Sequence, residues 1–97
     1  MMENGPEWQR LDIFLWHARV MRQRADCTAL AAGRLLRINR QSIHKAHAKV
    51  RIGDILTVPM VDGRQVIVME VLALAARRGP AAEATRLYRL IAEPGRS

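Results

Sequence analysis

His44 and His47 stand three residues apart in QSIHKAHAKV, a spacing met among metal ligands, and Cys27 is the one thiol that could join them. These donors lack the fourth that a closed zinc site needs, so no metal and no other cofactor is expected. Cys27 lies in ADCTALAA with no base in view to deprotonate it, which makes it a small helix residue and not a nucleophile. The acids form no paired-carboxylate motif. What remains is cationic. Between Arg10 and Arg51 run ten cations (Arg10, Arg19, Arg22, Arg24, Arg34, Arg37, Arg40, Lys45, Lys49 and Arg51) against Asp12 and Asp26, a segment charge of +8 in a chain of +7. Guanidinium groups hold phosphates through paired hydrogen bonds. Their concentration in one half of the chain points to a face for a polyanion. The chemistry expected is binding, not catalysis.

One cation occupies an unexpected place. In RINRQ, Arg37 to Gln41, the short apolar stretches LLRI and SIH flank Asn39-Arg40. A two-residue turn there favours Asn-Gly, because both central residues need positive φ. A side chain at positive φ costs of order 1 kcal/mol more than glycine. Either the turn is of another type or the cation has a use.

The elements that must position these groups follow from hydrophobic spacing. Leu11, Phe14, Leu15 and Ala18 recur at i, i+3, i+4 and i+7, predicting a helix from Glu7 to about Met21. Ile13, Trp16 and Val20 give that helix more apolar surface than one packing face requires. ADCTALAA reads as a second helix that begins between Gln23 and Asp26 and ends at Gly33. Arg22, Gln23 and Arg24 then sit where unpaired N–H groups and the positive dipole end also favour a phosphate. Beyond Gly33 the period shortens to that of strands. If Leu36 and Ile38 face inward, Arg37 faces solvent beside Arg40. KAHAKVRIGD is a basic loop carrying Lys45 and Lys49, ILTVPM a strand, Asp62-Gly63 a second hairpin signal, and QVIVMEVLAL a long buried strand with helix left open at LALAA. Gly79-Pro80 predicts a last helix with Ala84, Leu87, Tyr88 and Ile91 on one stripe, stopped by Pro94.

The 97 residues make one domain with a modest core, too small to hold a catalytic domain beside a binding module. No apolar run reaches membrane-spanning length and MMENGPEWQR has no signal-like apolar stretch. A single cysteine excludes an internal disulfide framework. A cytoplasmic protein without a membrane partner is expected.

RLDIFLWHARVMRQRADCTALAAGRLLRINRQSIHKAHAKVRIGDILTV, Arg10 to Val58, resembles the RNA-binding domain of the ribosomal small-subunit protein four type, the alpha-L RNA-binding motif. The features that carry the likeness are RLD..LW.AR, Arg24-Ala25, Asn39 and V.IGD.LTV. ARRGPAAEATRLY is similar to the closing RRPxxEAxxLY stretch of one branch, the ribosome-associated heat-shock protein fifteen family. The resemblance implies an α+β fold: an αα corner packed on a small, mostly antiparallel sheet, with an added hairpin strand and a C-terminal helix. Residues 8–60 would be the RNA-binding domain, with 61–94 extending the same single domain. It implies a non-catalytic protein that grips structured ribosomal RNA of the large subunit; the chain is expected to act as a monomer. Ribosomal proteins or transfer RNA bearing a nascent chain are further partners, and the role is heat-shock or stalled-subunit recycling. Arg10, Arg24 and Asn39 match the family's RNA-facing motif. Arg22 falls on a position usually Lys or Arg, and Gln23 replaces the customary Thr or Ser. Ile13 and Leu35 stand where cations are common, while Arg34 and Arg40 fall on typical glycines, as though cations had moved by one place. With Arg37, Lys45 and Lys49, these complete the expected RNA-binding set.

Two other readings stay open on sequence. One is a protein-interaction module docking through Ile13, Trp16 and Val20, with an incidental basic face. The other is a regulator of a different structured RNA, such as transfer RNA.

Overall fold

A computed structural model of the chain describes residues 7–33, 36–43, 45–59 and 66–92. The fold is α+β: two helices, α1 (Leu11–His17) and α2 (Arg24–Ala32), pack against a five-stranded antiparallel sheet. Its strands are β2 (Leu36–Ile38), β3 (Gln41–Ile43), β5 (Ile55–Pro59), β6 (Val66–Val71) and β7 (Tyr88–Ala92), in the spatial order β3-β2-β5-β6-β7. A separate two-stranded ribbon joins β1 (Gln9–Arg10) to β4 (Lys49–Val50).

The first stripe behaves as its spacing demands. Leu11, Phe14 and Leu15 are fully buried and Ala18 nearly so, against Cys27 and Ala31 of α2 and the inward residues Leu36, Leu56, Val58 and Val71. Alternation in the strands is equally direct: Leu36 and Ile38 are buried while Arg37 between them is exposed. Part of the extra apolar surface of α1 is also accounted for: Trp16 and Val20 pack against the core. Trp16 packs at the edge of the core, and the Arg78 guanidinium lies over its ring at 3.8 Å from the centroid while Arg78 Nε donates to the Trp16 carbonyl at 3.0 Å. Arg19, at φ 60 just past the helix, donates from Nε to the Gly79 carbonyl at 2.9 Å. Arg78 and Gly79 are thereby fastened along the end of α1.

Three expectations need correction. Helix α1 spans Leu11–His17, not Glu7 to about Met21: Gln9 and Arg10 pair as a strand with Val50 and Lys49, and the chain leaves the helix at Ala18, with Arg19 at φ 60. The carbonyls of Ala48 and Ala46 then accept the N–H groups of Leu11 and Asp12 at 2.7 and 3.1 Å, closing the helix's first turn. Second, the segment at LALAA is not helical: the N–H groups of Leu72 and Ala73 both point to the Leu87 carbonyl. Third, the last helix, α3, spans only Ala81–Ala84, and Tyr88 onward is β7. Tyr88 and Leu90 lie opposite Val71 and Met69, so a stripe at helical spacing also satisfies a strand. Pairing gives the backbone of β6 partners on its second side, which a helix could not do. The Asp62-Gly63 turn, Leu35, His44 and Pro94 lie outside the described residues.

Candidate nucleic-acid interface

Asp12 organises the cations nearest the helix corner. It is 1% exposed, yet its carboxylate receives Arg10 Nε at 3.1 Å and Arg10 Nη2 at 2.9 Å, a forked ion pair, and the Thr28 hydroxyl at 3.2 Å. The same hydroxyl hydrogen is shared with the Arg24 carbonyl at 3.3 Å, a forked bond. One buried acid thus ties the half-exposed Arg10 to the first turn of α2, where Arg24 stands. The ribbon adds another cation. Arg10 and Lys49 are direct cross-strand partners and so project from the same face, and Lys49 Nζ lies 4.6 Å above the ring of the exposed Trp8. Lys45 precedes the turn that closes α1, since the Ala48 N–H bonds back to its carbonyl.

The start of α2 is open to an anion. Gln23 is the N-cap, extended at φ −120, and it satisfies Asp26 and Cys27 with its backbone carbonyl; its side chain makes no cap bond. The N–H groups of Arg24 and Ala25 have no partner among the described residues. Arg22, Gln23 and Arg24 are all exposed around them. Asp26 is the opposing charge in that turn.

The hairpin answers the question its sequence posed. Asn39 and Arg40 both have positive φ, 52 and 75, as a two-residue hairpin turn demands. Arg40 therefore carries the strain that glycine would avoid. Both ends of the Asn39 amide are engaged: Nδ2 donates to Asp54 Oδ1 at 3.0 Å, and Oδ1 accepts the Ile55 N–H at 2.9 Å. Asp54 Oδ2 accepts the Arg51 N–H at 2.9 Å, closing a turn in which Gly53 sits at φ 97. Asn39 therefore latches the hairpin to the IGD turn, which commits one donor and one acceptor site of its amide to the fold.

The expected residues fall into two groups, not one continuous region. Arg10, Arg22, Gln23, Arg24, Lys45 and Lys49 surround the helix corner and the ribbon. Arg37 and Arg40 belong to the sheet, and Arg37 projects from the face turned away from the helices, because Leu36 and Ile38 point toward them. Arg34 lies outside the described residues. Arg22, Arg24, Arg37, Arg40 and Lys45 make no ion pair with a described residue. Sequence reasoning missed Asp12 and Thr28 as the groups that hold Arg10. The only sequence signal was an acid two residues from an arginine.

Two titratable groups sit under this surface. Burial pushes the His17 imidazole below its ordinary 6.5, opposed by a hydrogen bond to the Ala75 carbonyl and assisted by the charges of Arg24 and Arg78. Burial pushes the Cys27 thiol up, away from the thiolate that a nucleophile requires. Among the described residues no helix is long and apolar enough to cross a membrane.

No protein-family model matches the chain, and no curated protein matches it by sequence. A solved structure does: the trimeric structure of Heat Shock Protein 15 from Vibrio cholerae superposes with a TM-score of 0.77 at 30% sequence identity, over 89% of this chain and 84% of that one. With that identity sustained over most of both molecules, the chain belongs to the Heat Shock Protein 15 family.

Proposed function

We propose that the protein is a non-catalytic, ribosome-associated RNA-binding protein that recognises folded ribosomal RNA of the large subunit by shape and phosphate, in a heat-shock or stalled-subunit recycling role. The observation that carries this reading is the convergence of Arg10, Lys49 and Arg24 around the buried Asp12–Thr28 relay, beside the open start of α2. Preset cations lose less entropy on meeting a phosphate than free side chains do. Lys49 over Trp8 adds an aromatic face at the margin of the group. Arg37 and Arg40 form the second contact, on a different side of the same RNA. Because the corner group is completed within one chain, a monomer is the proposed functional unit, and the cytoplasm its compartment. The rival docking surface is weakened by Arg78, which already covers Trp16.

Charge reversal tests the reading. Arg24→Glu with Arg37→Glu should abolish retention on large-subunit RNA while the circular dichroism spectrum and melting temperature stay near wild type. Each single reversal should cost part of the affinity, since the two residues sit in separate groups. With about 4 to 6 phosphates neutralised, log affinity should fall against log salt with a slope of roughly −3 to −5. Salt-insensitive binding, or full binding by the double variant, would reject the proposal.

A further inference from the structure

The outer face of the sheet carries a trough for which the helix corner does not account. Asn39, Arg40, Ile55, Thr57, Val68 and Ile91 line an open cavity of about 550 Å³, within the roughly 300–1,000 Å³ of small-ligand clefts. The strands explain its composition. Leu56 and Val58 of β5 and Met69 and Val71 of β6 face the core, so Ile55, Thr57 and Val68 must face outward. Between the pairs Met69↔Leu90 and Val68↔Ala92, β6 advances one residue and β7 two. Ile91 is therefore the extra residue of a bulge, a device that re-aims a side chain, and it is 44% exposed in the trough.

The charge around this apolar floor is net positive. Arg40 is on the rim, and Arg37, paired with Thr57, projects from the same face. Neither has an ion-pair partner among the described residues. The two nearby acids are engaged: Asp54 holds the Asn39 amide and the Arg51 N–H, and Glu70 pairs with Arg89. A branched aliphatic floor beneath free guanidinium groups suits a ligand that is flat and apolar in one part and anionic in the next. Within RNA, that is an unpaired nucleotide, because a base inside a duplex cannot offer its face.

Building on the RNA-binding reading above, we propose that the trough seats one unpaired nucleobase against Ile55, Val68 and Ile91, with its phosphate held by Arg40 and Arg37. The helix corner then grips paired RNA and the sheet an adjoining unpaired nucleotide. Arg40 at the turn joins Arg37 on this face, so the side chain that stands in place of a turn glycine adds a second cation for the phosphate.

Methyl and amide NMR on the full chain tests this with two probes, a short single-stranded oligoadenylate and a fully paired RNA duplex. Oligoadenylate should shift the methyl signals of Ile55, Val68 and Ile91 by ring currents, whereas the duplex should shift the amides of Arg22 and Arg24 and leave those methyls unmoved. Silent methyls with responsive Arg24 amides would overturn the base seat and leave the RNA-binding reading standing. Silence everywhere with both probes would overturn both. A neutral double substitution, Val68→Thr with Ile91→Thr, keeps charge and strand preference and should weaken oligoadenylate binding about tenfold. Duplex affinity should be unchanged, and an equal loss on both probes would also reject the seat.

Discussion

The Asn39 amide and the Asp54 carboxylate form one structural unit: Nδ2 lies 3.0 Å from Oδ1, while the Asn39 oxygen takes the Ile55 N–H at 2.9 Å. Asp54 in turn fixes the Arg51 N–H, and its own carbonyl accepts the Val71 N–H at 2.9 Å. The hairpin, the IGD turn and the end of β6 are thereby locked together around two side chains.

Asn39→Ala removes both hydrogen bonds and places a residue with a Cβ, but no local polar partner, at φ 52. A loss of about 1–2 kcal/mol in urea denaturation is expected, reduced by the exposure of the site. Asn39→Asp should be no milder, since it keeps the shape but sets two carboxylates where a donor met an acceptor. A neutral outcome for both substitutions would deny the latch its role.

Arg40→Gly separates stability from binding. With φ at 75, glycine relieves the left-handed strain and should raise stability by about 1 kcal/mol. RNA affinity should fall at the same time, because a rim cation is lost. Paired melting and binding curves for this single variant decide the matter; a stabilised protein with unchanged affinity would make Arg40 merely tolerated.

Where apolar spacing and backbone geometry agree, the fold was legible. Leu11, Phe14 and Leu15 had one way to be buried, and the alternation across Leu36, Arg37 and Ile38 had one way to face the core. Tyr88 to Ile91 misled because their apolar positions serve either period, and the choice was made by the unpaired edge of β6, distant in sequence. The ribbon of Gln9–Arg10 with Lys49–Val50 was hidden for the same reason, since two-residue strands leave no periodic trace. Among the site residues, the cations were visible from charge alone. Their division between the helix corner and the outer sheet face was not, because it depends on which side of β2 the helices cover.

His17 predicts how stability depends on pH. Its folded pKa is depressed below 6.5 by burial, so between the folded value and 6.5 the unfolded chain binds more protons than the folded one. Stability from the neutral ring is fully present above pH 6.5 and is lost as pH falls through the folded value. The melting temperature should decline on acidification across that window, and His17→Gln, which cannot titrate, should flatten the decline. An unchanged slope in the variant would show that other groups set it.

Arg10 and Asp12 predict a strongly coupled pair. Asp12 is buried at 1% exposure, while the Arg10 side chain is 49% exposed, so solvent screens the cation and not the acid. Removing Arg10 alone leaves a buried carboxylate with Thr28 as its remaining side-chain partner, which costs more than the ion pair itself contributes. Asp12→Asn keeps the volume and a polar partner for Thr28, and should be milder than Arg10→Ala. In a double-mutant cycle with Arg10→Ala, a coupling energy of about 1–2 kcal/mol is expected. The same cycle read by RNA affinity distinguishes the two roles of Arg10. Asp12→Asn raises the net charge by one yet frees the guanidinium from its fork; if presetting matters, affinity falls despite the added charge, and if charge alone matters, it rises.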